Sequence, residues 1–114
     1  MTKQQNECIY RVQNDIFNMA SDIIGMSWTC LGLRIRMDIV DKEIVTKIGD
    51  KEFRDPMPMR GKRRNRTGIG NIVGQHMCNE WGGSLEEVAA YLKASIEAFF
   101  EHFGVAKEEL SFNN

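Results

Sequence analysis

The residues best suited to binding chemistry lie in one basic segment near the middle of the chain. Five cations fall within seven residues: Arg60, Lys62, Arg63, Arg64 and Arg66. An arginine guanidinium presents a planar fork of N–H donors that matches two oxygens of a phosphate group. We therefore expect this segment to bind a phosphate-bearing anion.

Small and polar residues follow these cations at the expected start of a helix, and they strengthen the same prediction. They are Thr67, Gly68, Gly70 and Asn71. Glycine lets a backbone approach a phosphate closely, and the first N–H groups of a helix attract anions together with its dipole. The predicted ligand is a nucleotide, a signalling nucleotide or a nucleic acid.

Two phosphate-binding signatures do not fit this segment. A P-loop places its lysine after the glycines, whereas Lys62 precedes them. Gly68-Ile69-Gly70 alone is a weak dinucleotide fingerprint, since no parallel βαβ unit surrounds it. Two other interpretations stay open: the segment docks on an acidic surface of a partner protein, or it is a solvated loop without a specific ligand.

Three further residues are candidates to extend the anion site. Arg34 and Arg36 stand two apart on a predicted strand, so both side chains leave the same face of the sheet. Trp81 precedes a Gly-Gly pair and is a candidate to stack on a base. The alternatives are an ordinary charged solvent face for the two arginines and core packing for the tryptophan.

The spacing of cysteine and histidine disfavours metal binding and thiol catalysis. Cys30, His76 and Cys78 do not form the closely paired ligands of a zinc site. His76 and Cys78 stand two apart in a predicted helix and point about 200° apart, so the imidazole is badly placed to activate the thiol. We expect no metal, no cofactor and no catalytic residue, and a binding protein rather than an enzyme.

Hydrophobic periodicity predicts the elements that position these residues. Apolar residues at steps of three and four predict a helix over Lys3–Ile24, opened by a capping box of Thr2 and Gln5. Alternation of apolar and polar residues begins at Leu31, which is expected to face the core. The prediction is either an antiparallel β-hairpin of Leu31–Ile39 and Ile44–Ile48 or a three-stranded meander in which Glu52–Arg54 is the third strand.

The second half of the chain is predicted to be a loop followed by helices. A basic loop containing proline and glycine covers 55–70, and a helix covers Asn71–Trp81. A long amphipathic helix begins with a capping box at Ser84 and ends at Gly104. Helices segregated from antiparallel strands predict a single α+β domain over 1–114, with both C-terminal helices packed on one face of the sheet.

Composition and charge restrict the class of protein. The formal net charge of −1 over 114 residues argues against a protein that coats nucleic acid non-specifically. Three cysteines do not form a disulfide framework, and no apolar run reaches the length of a membrane span, so a cytoplasmic location without a membrane partner is expected. Phe99, Phe100 and Phe103 predict a homo-oligomer through the C-terminal helix.

The order of helix, strands, basic segment and helix is similar in layout to the double-stranded-RNA-binding domain. This chain departs from that domain in its further long helix and in lacking a lysine-rich run at the helix start. The leading prediction is a non-enzymatic binding module for a phosphate-bearing ligand. The alternative is a small interaction or inhibitor protein, of a phage or mobile-element type, that docks a partner through the same loop.

Overall fold

The computed structural model describes residues 1–19 and 25–83 and, beyond these, five separate positions: Glu86, Ala90, Lys93, Ala94 and Glu97. Its elements are α1 (Lys3–Phe17), β1 (Met26–Cys30), β2 (Leu33–Val40), β3 (Glu43–Ile48), β4 (Lys51–Pro56), β5 (Met59–Arg60), β6 (Arg63–Arg64) and α2 (Arg66–Glu80). Strands β1 to β4 form one antiparallel sheet in chain order, and β5 pairs with β6 in a separate sheet. The predicted α+β class is confirmed. The long helix predicted after Ser84, with its oligomer contact, lies outside the described ranges.

Helix α1 begins as its sequence predicts and ends earlier. The Thr2 hydroxyl accepts the backbone N–H of Gln5 at 3.1 Å, and the Gln5 side chain accepts the N–H of Thr2 at 2.9 Å, which is the expected capping box. The helix ends at Phe17 and not at Ile24. At its end the side-chain amide of Asn18 donates to the Asn14 carbonyl at 2.9 Å, a local bond that competes with continuation of the helix.

The four-stranded sheet has one more strand than the three-stranded meander that the sequence predicted. Leu31 was expected to face the core, but it lies 60 % exposed in a two-residue turn between β1 and β2. Leu31 and Gly32 both have positive φ, 52° and 79°, the backbone of the tight turn that suits the twist of an antiparallel hairpin. Leucine rarely occupies such a position, so the turn carries no clear sequence signal and β1 was missed.

The two helices pack together on one face of the four-stranded sheet. Their shared core contains the side chains of Ile9, Val12, Ile16, Ile35, Met37, Ile39, Ile44, Ile48, Ile69, Val73 and Met77. Burial of each such side chain contributes about 1.5–3 kcal/mol to stability before entropy is subtracted. The opposite face of the sheet carries Arg34, Arg36 and Lys47, all exposed, as the alternation predicted.

Polar contacts fix α2 against the edge strand β4. The ring of His76 stacks on Phe53 with centroids 4.2 Å apart, and its Nε2 lies 2.8 Å from Oδ2 of Asp55. One turn further along α2, Glu80 pairs with Lys51 at 2.7 Å. These contacts set the position of α2, and therefore of its N-terminus and of the basic residues that precede it.

Candidate anion-binding site

The predicted basic loop over 55–70 is more regular than expected. Strand β4 runs to Pro56, β5 and β6 form a short hairpin, and α2 already begins at Arg66. The prediction of an irregular loop is therefore wrong for most of this segment, as is the prediction that α2 begins at Asn71. Glycine and proline were read as breakers, but tertiary contacts hold the segment in regular structure.

Backbone contacts define a basic hairpin over residues 59–64. Met59 pairs with Arg64 and Arg60 pairs with Arg63, across a turn in which Gly61 has a φ of 57°. At its base, the N–H of Asn65 donates to the carbonyl of Pro58 at 2.8 Å. Here a glycine is needed for its left-handed conformation, so Gly61 shapes the turn that presents the cations.

Most cations of the basic hairpin are exposed, and the sequence on either side of the hairpin is free of carboxylates. Arg60, Lys62 and Arg63 are exposed, and Arg64 is half-buried. No Asp or Glu occurs in the chain between Asp55 and Glu80. Arg60 and Arg63 stand directly opposite each other, an arrangement of like charges that disfavours pairing of the two strands on its own. The hairpin therefore concentrates positive charge at the surface.

Arg66 makes a structural contact with the end of α1. Its Nη1 donates to the backbone carbonyl of Met19 at 2.8 Å. A charged donor on a carbonyl just beyond the end of α1 favourably interacts with that end of the helix dipole. Arg66 therefore ties the start of α2 to the end of α1.

The glycines at the start of α2 are packed against apolar side chains and not open to solvent. A Cβ on Gly68 would lie 2.8 Å from Cβ of Pro58, and one on Gly70 would lie 2.6 Å from Cε1 of Phe17. Both distances are too short for a real side chain. Close packing within the protein is thus a sufficient reason for both glycines.

The helix N-terminus is capped by its own residues. The side-chain oxygen of Asn65 accepts the N–H of Gly68 at 3.1 Å, and the Asn65 carbonyl accepts the N–H of Ile69 at 3.0 Å. Asn65, Thr67 and Asn71 are buried, with exposed fractions of 7 %, 7 % and 4 %. The structure therefore does not bring Thr67, Gly68, Gly70 and Asn71 to the surface that displays the hairpin cations.

Arg34 and Arg36 also lie apart from the basic hairpin. Strand β2 rises about 20 Å from Arg34 to Val40, at roughly 3.3 Å per residue. The strand register aligns Val40 with Pro56, where the chain leaves the sheet for the hairpin. Arg34 lies at the other end, where its carbonyl accepts the N–H of Gly49 at 2.9 Å. The structure therefore contains two separate groups of cations, whereas the sequence predicted a single site.

The remaining candidate residues have packing roles. Trp81 caps the end of α2, is half-buried and packs against the core. His76 is engaged by Asp55 and Phe53, as described above. Cys78 is fully buried, and burial raises the pKa of its thiol to about 11, so the nucleophilic thiolate is scarce at neutral pH.

The described part of the chain contains neither a metal-binding cluster nor a membrane-spanning helix. Within residues 1–19 and 25–83, no three side chains of His, Cys, Asp or Glu are grouped so as to hold a metal ion. Over the same residues, no helix combines the length and the apolar character needed to cross a bilayer.

Comparison with known proteins assigns no relative: no family model, no curated protein and no solved structure matches this chain. The candidate site thus stands on its geometry and charge alone.

Proposed function

We propose that this chain is a non-enzymatic binding module for a phosphate-bearing ligand, and that it contacts the ligand through the basic hairpin. Among such ligands the geometry favours a nucleic acid over a single nucleotide. A single nucleotide is usually held in a concave pocket, whereas the cations of the hairpin project on an exposed turn. An exposed ribbon of cations suits the repeated phosphates of a polyanion.

One observation carries this proposal: exposed cations occupy a turn whose flanking sequence has no carboxylate. Lys62 lies at the tip and Arg63 follows it, both exposed. Neutralising several phosphates releases counterions, which makes such binding strong at low salt and weak at high salt. With an overall charge of −1, this attraction is local and is not a property of the whole surface.

A salt-dependent titration tests the proposal. Fluorescence anisotropy of a labelled 20-nucleotide single strand and of a matching duplex is measured with the full chain at two salt concentrations. The double variant Lys62→Gln/Arg63→Gln is expected to bind roughly 10- to 100-fold more weakly. The control Lys3→Gln/Lys51→Gln removes the same charge from two exposed positions away from the hairpin, and its affinity is expected to stay within about three-fold of the wild type.

Three results would overturn the proposal. They are absence of binding to either oligonucleotide at low salt, an equal loss of affinity in both double variants, and affinity that does not change with salt. An equal loss in the two variants would mean that net charge, and not the hairpin, attracts the oligonucleotide.

The second candidate function is docking on an acidic surface of a partner protein, and Met59 favours it. This side chain is 53 % exposed beside the cations, and methionine is enriched in protein interfaces. Nuclease treatment separates the two candidates. The wild type and the variant Lys62→Gln/Arg63→Gln are each used to capture partners from a lysate. A partner that the wild type retains after nuclease treatment and that the variant fails to capture supports docking on a protein. A partner lost with nuclease supports nucleic acid.

A further inference from the structure

The outer face of the sheet has a concave region at the end remote from the basic hairpin. This outer cleft has a volume of about 450 Å³ and is lined by Ser27, Thr29, Arg34, Arg36, Lys47 and Gly49, among others. Its volume lies within the range of roughly 300–1,000 Å³ that small-ligand sites occupy. The cleft uses neither the hairpin nor the start of α2, so it is independent of the function proposed above.

The depth of the outer cleft follows from the strand register. Thr29 stands opposite Arg34 and Ser27 stands opposite Arg36 on adjacent strands. Short hydroxyl side chains on β1 thus face long cationic side chains on β2, and the difference in length leaves a trough. The hydroxyls both donate and accept hydrogen bonds, which matches the oxygens of a phosphate in either protonation state.

The charge of the outer cleft is one-sided. Three cations line it, and none of its lining residues among those that the structure describes is a carboxylate. Arg36 and Lys47 are direct cross-strand neighbours, a placement of like charges that destabilises a sheet unless something offsets it.

Carboxylates outside the cleft offset two of the three cations. Asp38 lies next to Arg36 along β2 and accepts from its Nε at 2.8 Å and its Nη2 at 3.4 Å. That hydrogen bond, with the attraction of the two charges, raises the pKa of Arg36. Glu52 lies 3.9 Å from Lys47, at the limit of an ion pair. Arg34 has no carboxylate partner among the described residues, so its guanidinium fork is available.

We propose that the outer cleft binds a small phosphate-bearing molecule. The fork of Arg34 donates to two phosphate oxygens, the Thr29 hydroxyl beside it donates to or accepts from the same group, and Lys47 adds charge from the neighbouring strand. Arg36, held by its hydrogen bonds to Asp38, sets the width of the cleft.

A titration followed residue by residue tests this proposal on the full chain. Backbone amide NMR shifts are recorded during addition of inorganic pyrophosphate and, separately, of a nucleoside monophosphate, at constant ionic strength. Saturable shifts are expected at Ser27, Thr29 and Arg34 for both probes. Arg34→Gln is expected to raise the dissociation constant about ten-fold, because it removes a charged bidentate donor.

Two variants complete the experiment. Lys47→Gln is expected to raise the dissociation constant about five-fold, and Lys42→Gln, an exposed lysine on the turn at the other end of the sheet, less than about two-fold. The same spectra report whether each variant is folded. A third probe, a short oligonucleotide, distinguishes a small ligand from a polymer.

Several outcomes would overturn the proposal. They include absence of saturation at millimolar probe, shifts confined to residues 59–64, and equal weakening by Lys42→Gln and Arg34→Gln. Shifts in the cleft with the oligonucleotide but with neither small probe would replace it by a second nucleic-acid contact. None of these results affects the test of the hairpin, whose variant leaves the cleft intact.

Discussion

Two adjacent regions of this protein look like one site in the sequence and differ completely in the structure. Residues 59–64 form an exposed hairpin with four cations, whereas residues 65–71 form a buried and capped start of α2. Cations need water or an anion, while glycines permit close approach of packed elements. A basic segment rich in glycine can therefore meet two separate physical requirements, which are solvation of charge in the hairpin and close packing at the start of α2.

The largest expected effect is on binding, and it comes from reversing charge in the exposed region. Lys62→Glu/Arg63→Glu is expected to weaken oligonucleotide binding by about 100-fold or more. Its plot of log affinity against log salt is expected to be shallower by about one for each lost phosphate contact. The melting temperature should stay close to that of the wild type, because both side chains are exposed. A large loss of stability would mean that these cations belong to the folded framework.

The second effect is on stability, and it comes from the buried region. Gly70→Ala places a methyl group against the ring of Phe17, so the free energy of unfolding is expected to fall by roughly 1–3 kcal/mol. Urea denaturation measures this change, while the affinity of the folded protein for oligonucleotide should not change. In a double-mutant cycle, Phe17→Leu should recover part of the loss. Reduced affinity without reduced stability would instead return Gly70 to the binding site.

A smaller effect is expected at the boundary between the two regions. Arg66→Gln removes the charge-assisted bond to the Met19 carbonyl and is expected to cost roughly 1–2 kcal/mol of stability. Arg66→Lys keeps the charge but lacks the planar fork. We expect this variant to show most of the stability loss of Arg66→Gln, while its affinity for the oligonucleotide stays near the wild-type value. If Arg66→Lys instead weakens binding as strongly as a substitution at Arg63, Arg66 belongs functionally to the hairpin.

The smallest effect is expected at the cap of α2. Asn65→Ala removes the acceptor for the Gly68 N–H and is expected to cost about 1 kcal/mol. Asn65→Asp preserves the acceptor, adds a negative charge at the helix N-terminus and is expected to be close to neutral in stability. Thermal unfolding of both variants checks this prediction. Equal destabilisation by both would mean that the Asn65 cap contributes nothing.

Local patterns were sufficient for much of the fold. The capping box of Thr2 and Gln5 forms as predicted because it involves residues three apart and needs no partner elsewhere. The inward positions of Ile35, Met37 and Ile39 are confirmed because alternation fixes which face of a strand a side chain occupies. These patterns also gave the α+β class and the approximate positions of β2, β3 and β4.

The errors lie where a distant contact overrides a local preference. Leu31 adopts a positive φ in a turn because β1 and β2 pair on either side of it. Gly68 and Gly70 lie within α2, and they are glycines because Pro58 and Phe17 leave no room for a side chain there. The sequence shows which conformations a residue can adopt, but the contact that selects one of them involves a residue distant in the chain.

Neighbouring residues in the sequence are enough to predict the cluster of positive charge, the class of fold and the alternation that exposes Arg34 and Arg36. Only the packing of distant elements places the hairpin cations and the sheet cations at opposite ends of the sheet and buries the glycines at the start of α2. The two kinds of property differ in the distance along the chain over which they are set. Charge density and periodicity are properties of neighbouring residues, whereas burial and the separation of two surfaces arise only when distant elements pack together.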